Sequence, residues 1–257
     1  MKKTSVIIIG SGNAAAFFAR NISARGMEIE CIISRNREKG TALAACVNSR
    51  WESDFSALEN RTGIIISAVK DSAAKEVWSK CSFGKNLVLH TAGSLPLSTL
   101  EEYASDCGVL YPLQTLSSAR ELDSQKVPLL IEANTPENLE KLREFAAKLS
   151  SAVTEVSSCQ REKLHLAAVF ANNFSNLCFR MAWELAEKEN LPCELLLPLI
   201  EETCAKLRTL SPRAAQTGPA VRWDENVIAK HLKMLETSPE TAKFYELASC
   251  EIHRRAK

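Results

Sequence analysis

Ser5-Val6-Ile7-Ile8-Ile9-Gly10-Ser11-Gly12-Asn13-Ala14-Ala15 is the stretch that decides how this chain folds. A short β-branched apolar run meets G-x-G-x-x-A, and an Ala- and Phe-rich helical segment comes next. Strand, tight turn and helix N-terminus in that order are what a dinucleotide pyrophosphate requires. Gly10 permits the turn, Gly12 keeps a Cβ out of the path of the phosphates, and Ala15 lets the helix lie close to the sheet. The unpaired N–H groups of the first helical turn and the positive end of its dipole then hold an anion. Gly10, Ser11, Gly12, Asn13 and Ala14 are therefore cofactor-binding candidates. The motif is short, and its context on both sides gives it weight.

Working outward, short apolar runs alternate with helical stretches through the first half. Strands are expected over 6–9, 29–33, 64–69, 87–90, 127–131 and 153–156, with helices over 14–25, 38–47, 72–80 and 136–149. Thr135-Pro136 supplies an N-cap and a proline at the first helical position. Near-continuous apolar strands separated by helices indicate a doubly wound parallel sheet covered on both faces. At Ser157 the character changes. Ser157 and Gln160 form a capping box, and no glycine or proline interrupts the sequence from there to Asn190, which reads as one long helix. Leu191-Pro192 breaks it, and a second helix runs to about Leu210. Ser211-Pro212 and Thr217-Gly218-Pro219 mark a loop, and Asp224 and Ser238-Pro239 each open a further helix. The expected organisation is an α/β domain over 1–157 followed by an all-helical domain over 158–257.

Bulk properties set outer limits. At 257 residues, 46% hydrophobic and 25% charged, the chain has the composition of a water-soluble globular protein, and its length suits two domains. A net charge of +1 gives no field that would draw it to nucleic acid or to an anionic membrane. The nine cysteines form no C-x-x-C and are odd in number, which argues against a zinc site or a disulfide framework and for a reducing cytoplasm. Met1-Lys2-Lys3 before an apolar run imitates a secretory leader, but the run is too short for one and reads as a lysine-led first strand. No segment has the apolar length of a membrane span.

The end of the second strand points to the cofactor. NAD sites commonly place a carboxylate there, about 20 residues past the glycines, on the ribose hydroxyls. This chain has Ser34-Arg35-Asn36-Arg37 instead. Ser34 and Arg35 can hold a 2′-phosphate, which favours NADP over NAD. The alternative is a basic loop that touches no ligand. Val69 and Lys70 end a strand at the carboxyl edge of the sheet, where ligands sit, and Lys70 either covers the cofactor or faces water. His90, ending the next strand, is either a general acid or a hydrogen-bonded structural residue. Tyr111-Pro112-Leu113-Gln114-Thr115 is a third such turn, with Gln114 as a substrate contact.

The long helix offers the chemistry. Counted at roughly 100° per residue, Arg161, His165, Asn172, Ser175 and Asn176 share one face, with Ala168 leaving room among them. Leu166, Phe170, Phe174, Leu177 and Met181 populate another. A polar stripe of this kind faces water, joins an internal network or meets a ligand. On the last reading His165 gives or takes a proton, Asn172 or Asn173 binds a substrate carbonyl or carboxylate oxygen, and Arg161 is a further substrate contact. No Ser/His/Asp order and no metal-ligand spacing competes with it.

Gly10 to Asn13, Ser34-Arg35, His90-Thr91-Ala92-Gly93-Ser94, Tyr111 to Thr115, Arg161 to Phe174 and Gln216-Thr217-Gly218-Pro219-Ala220 occur together in this order. The set resembles a bacterial family of NADP-dependent oxidoreductases that join a Rossmann-like domain to a helical domain of unknown function. More distantly it is similar to pyrroline-5-carboxylate reductases, ketopantoate reductases and β-hydroxyacid dehydrogenases. The resemblance implies a homodimer formed through the helical domain and a small-molecule substrate bound between the domains, with Gln216 near it. It also implies hydride transfer to or from a small carbonyl, imine or hydroxy-acid compound. Some members of the family carry a label for deazaflavin-dependent NADP reduction. The β-hydroxyacid dehydrogenases place a lysine and an asparagine one turn apart where this chain has His165 and Asn172, so the lysine mechanism does not transfer. A non-catalytic NADP-binding sensor or scaffold is the other function class that such a fold allows.

Overall fold

A computed structural model describes residues 5–55, 58, 62–117, 120 and 122–256. Met1-Lys2-Lys3, expected to lead into the first strand, and the terminal Lys257 lie outside the described residues. The chain divides into two compact units, 1–173 and 174–257.

The first unit is built on an eight-stranded sheet: β1 (Val6–Ile9), β2 (Ile29–Ile33), β3 (Arg50–Glu52), β4 (Ile64–Ser67), β5 (Leu87–His90), β6 (Cys107–Pro112), β7 (Leu129–Ala133) and β8 (Val153–Glu155). Their order is β3-β2-β1-β4-β5-β6-β7-β8. From β3 to β6 every neighbouring pair is parallel, so these strands end at one carboxyl edge. β7 runs antiparallel to β6, and β8 joins β7 in parallel. The sheet is therefore mixed rather than wholly parallel. The segment after Pro112 returns to the sheet without a full crossover, which reverses the next strand.

Helices cover both faces: α1 (Asn13–Ala24), α2 (Arg37–Cys46), the short α3 (Ala74–Trp78) and α4 (Ser98–Glu101), and α5 (Pro136–Leu149). Two apolar clusters result. Phe18, Ile22, Leu142 and Phe145 pack on the face that carries Val6 and Ile8, and Trp78, Phe83 and Leu100 pack on the face that carries Ile7 and Ile9. The four residues of β1 are all buried, as alternation between two covered faces demands. Thr135 caps α5 through the Asn138 N–H, with Pro136 at the first position.

α6 (Ser158–Ala168) belongs to this unit and opens with the expected capping box between Ser157 and Gln160. It does not continue as one long α-helix. A π-helical segment over Val169–Phe174 separates it from α7 (Ser175–Lys188). An i→i+5 turn holds more residues than an α turn and rotates the residues beyond it, so the 100° count behind the polar stripe does not carry through.

The second unit comprises α7, α8 (Leu197–Lys206), α9 (Pro212–Ala215), α10 (Pro219–Arg222), α11 (Glu225–Met234) and α12 (Pro239–Ala256). The expected loop over 211–219 holds α9, which Ser211 caps, and the start of α10. No helix among the described residues is long and apolar enough to cross a membrane.

Candidate active site

The turn from β1 to α1 has the geometry that the glycines promised. Gly10 sits at φ +125°, and a Cβ there would fall 2.3 Å from the Ala68 carbonyl oxygen. Gly12 is the N-cap of α1 and has no side-chain cap, while a Cβ built on it meets no protein atom within 4 Å. That open space belongs to a cavity of about 820 Å³ lined by Gly10, Ser11, Gly12, Ser34, Arg35, Val69 and Lys70. Uncapped helical N–H groups, a glycine edge and basic side chains around one cavity are a donor set that fits a dinucleotide.

Individual residues divide within this set. Ser34 is buried; its hydroxyl donates to the Asn36 carbonyl at 3.2 Å and accepts from the Trp51 indole N–H at 3.1 Å. Arg35 is exposed at the cavity edge, and Lys39 stands beside it, a basic residue that sequence reasoning missed. The Lys39 N–H is capped by the Asn36 side chain, so strand end, cap and lysine form one unit that could have been read. Glu76 also lines the cavity; Lys80 and, more weakly, Arg35 hold its carboxyl below the ordinary carboxylate range. Asn13 points its amide N–H to the Leu116 carbonyl at 2.9 Å and tethers the loop after β6. Ala14 lies next to it in the first turn of α1.

Beyond the cavity, at the same edge, the ends of β5 and β6 meet α6. The Tyr111 hydroxyl lies 3.0 Å from His165 Nδ1, the rings edge-on with centroids 5.9 Å apart. Both residues are partly exposed. Gly93 packs against both rings, where a Cβ would come within 2.7 Å of His165 Nδ1. The neighbouring Ser94 hydroxyl donates to the carboxylate of Asp71, the residue after Val69 and Lys70. Burial and the Asp71 charge push the Tyr111 hydroxyl above its ordinary pKa, with Arg161 opposing. The sequence marked Tyr111 only as part of a turn, because its partner lies 54 residues away.

Two expected site residues are enclosed. Arg161 is fully buried: its guanidinium donates to Glu132 at 2.5 Å, to the Leu95 carbonyl at 2.6 Å and to the Ser158 hydroxyl at 3.2 Å. It clamps α6 to β7 and to the segment after β5, one helical turn before His165. His90 is also fully buried, 5.9 Å from the Trp78 ring, and its Nδ1 accepts from the Ala92 N–H. Burial first, then the Arg161 charge, lowers its pKa to about 3, so it is neutral at physiological pH.

Asn172 and Asn173 are exposed in the π segment. Gln114 is exposed, its carbonyl accepting from the Thr115 N–H. Gln216 belongs to the second unit, where it lines a cavity of about 570 Å³ with Arg213 and Arg255. The structure thus brings together Gly10, Ser11, Gly12, Ser34, Arg35, Val69 and Lys70 in one cavity, and His165 with Tyr111 beside it.

Residues 5–93 match a family model described as NADP oxidoreductase, coenzyme F420-dependent. Residues 127–252 match a domain of unknown function, DUF2520, a match that begins where the sheet reverses direction. No curated protein matches the chain in sequence. Among solved structures, the chain is similar to a candidate NADP oxidoreductase from Bacteroides fragilis, with 40% identity over 98% of each chain and a TM-score of 0.91. At identities where likeness speaks only of fold, it is similar to an imine reductase from Myxococcus stipitatus in complex with NADP+ (15%, 97% of this chain and 92% of that one, TM-score 0.69). It is likewise similar to a 1-pyrroline-5-carboxylate reductase from Streptococcus pyogenes (13%, 97% and 98%, TM-score 0.63).

Proposed function

The chain belongs to the family of Rossmann-like NADP oxidoreductases that carry the DUF2520 helical region, and from that premise we propose that it reduces a small polar carbonyl or imine compound, or runs the reverse oxidation, with NADP preferred to NAD. The observation that carries this reading is the placement of His165, partly exposed and fixed by α6, beside the edge at which the glycine turn and the basic cavity open. The bound nicotinamide would supply or accept the hydride. Gly10 and Gly12 let the backbone approach the pyrophosphate, and Arg35 with Lys39 holds the 2′-phosphate. His165 manages the proton that accompanies hydride, and Asn172 supplies an amide for the substrate oxygen. Arg161 acts through position, since it is fully enclosed and its two terminal nitrogens are held by Glu132, the Leu95 carbonyl and Ser158.

The second unit supports a homodimer. Its buried apolar residues among those described are Ala220, Ile228 and Leu235, while Leu195, Leu199, Met234 and Leu247 are each at least 65% exposed. A helical unit with so little core needs a further apolar surface to cover it, and a second copy is the occupant we propose. Nine cysteines, odd in number and with no C-x-x-C, suit a reducing compartment, which makes the cytoplasm the proposed location.

The test is a screen of 2-oxo acids, aldehydes and cyclic imines that tracks NADPH absorbance. A substrate whose turnover collapses in His165→Ala supports the reading. Parent-level turnover in that variant removes His165 from the chemistry, and NADPH binding with no turnover across the screen favours a sensor.

A further inference from the structure

Among the described residues, Tyr111 is the partly exposed ionisable group that the geometry joins directly to His165. On β6 it shares a sheet face with Cys107 and Val109, which lie in the cluster around Trp78. Its ring is packed on that face, and its hydroxyl reaches past the strand end to His165 Nδ1. Gly93 is what allows this, since a side chain there would meet His165 Nδ1 at 2.7 Å, His165 Cγ at 2.9 Å and Tyr111 Cζ at 3.0 Å. Ser94 and Asp71 link the same loop to Val69 and Lys70 on the dinucleotide cavity. On its other side the pair is fixed through Arg161, held by Glu132 one helical turn before His165. A partly exposed hydroxyl held 3.0 Å from an imidazole nitrogen can pass its proton outward and be reprotonated through the ring.

Resting on the reductase reading above, we propose that Tyr111 donates the proton to the substrate heteroatom and that His165 resupplies it. Reduction of C=O or C=N puts two electrons and a hydrogen on carbon as hydride, which NADPH supplies, and a proton on oxygen or nitrogen. The O–H bond of Tyr111 breaks and the new O–H or N–H bond of the product forms. The Nδ1–H bond of His165 then breaks as the Tyr111 O–H re-forms, and the imidazole recovers one proton from water. The sum is one hydride and one solvent proton per reduced bond. His165 is thus a relay whose reach to substrate runs through Tyr111.

The test needs no known substrate. Protein labelled at its histidine and tyrosine rings and its backbone amides is titrated by NMR with NADP+ and, separately, with 2′-phospho-ADP-ribose, which lacks nicotinamide. The expected result is that the amides of Gly10 and Gly12 shift with both probes, while the rings of Tyr111 and His165 shift with NADP+ alone. Ring signals that stay still with NADP+, or move equally with both probes, overturn the relay and leave the cofactor reading intact. Glycine amides that respond to neither probe overturn the cofactor reading, and the relay with it. In Tyr111→Phe, which keeps the packed ring, the His165 Nδ1 resonance is expected to move at constant pH; an unmoved resonance removes the coupling and the proposal.

Discussion

The Arg161 guanidinium meets the Glu132 carboxylate at 2.5 Å with its own side chain wholly enclosed, and this contact fixes the start of α6 against β7. Glu132 also accepts from the Ser158 N–H and hydroxyl, so a single carboxylate holds the first turn of the helix at two of its residues. Breaking a buried pair leaves an uncompensated charge and costs about 3–5 kcal/mol. Arg161→Ala is expected to lower stability by that amount in denaturant unfolding. Arg161→Lys is expected to recover only part of it, because an ammonium cannot span Glu132 and Leu95 as a planar fork does.

Gly93→Ala is expected to force Tyr111 and His165 apart. Relieving a Cβ at 2.7 Å from His165 Nδ1 requires a ring to shift, at a cost of about 1–3 kcal/mol. With a substrate found by the absorbance screen, Gly93→Ala and Tyr111→Phe are both expected to lower kcat by about 10²- to 10⁴-fold, the range for loss of a general acid. A kcat that survives Tyr111→Phe would return the proton to His165 alone.

The two glycines of the first turn are expected to respond differently to the same substitution. Gly10→Ala places a Cβ 2.3 Å from the Ala68 oxygen at a φ of +125°, so thermal stability and NADPH binding are both expected to fall. Gly12→Ala meets no protein atom within 4 Å at an ordinary φ of −84°, so its melting temperature is expected to match the parent's while NADPH affinity drops. Equal NADPH affinity in parent and Gly12→Ala would place the pyrophosphate elsewhere.

These glycines show how far the sequence could be read. Strand, turn and helix are local events, and β1, α1, the Thr135 cap and the Ser157–Gln160 box all fall where residue chemistry places them. The reversal of β7 was not legible, because its direction depends on pairing with β6 after a long return and not on the content of either strand. The polar stripe rested on an unbroken α-helix, and Val169-Phe170-Ala171-Asn172-Asn173-Phe174 carries no glycine or proline to announce the π segment. Arg161 read as a ligand contact because buried arginines are rare and Glu132 is 29 residues away. Tyr111 escaped for the same reason, a pairing across the fold that leaves no periodic trace.

His90 sets an acid limit on stability. Its pKa is about 3 in the folded protein against 6.5 when exposed, so between these values the unfolded chain binds the extra proton. Stability from this residue is therefore full above about pH 6.5 and falls as pH drops toward 3, by at most about 1.4 kcal/mol per pH unit. His90→Asn can still accept from the Ala92 N–H and has no titration, so its stability is expected to fall less steeply below about pH 6. Parallel pH profiles for parent and variant would show that His90 is not held neutral.

The most direct test of an NADP-dependent site is to measure NADPH and NADH affinities side by side, by calorimetry, for the parent and Arg35→Ala. NADPH is expected to bind the parent more tightly than NADH. Arg35→Ala is expected to lose most of that preference, leaving NADH binding nearly unchanged. Equal affinities of the parent for the two cofactors would contradict the account at its root.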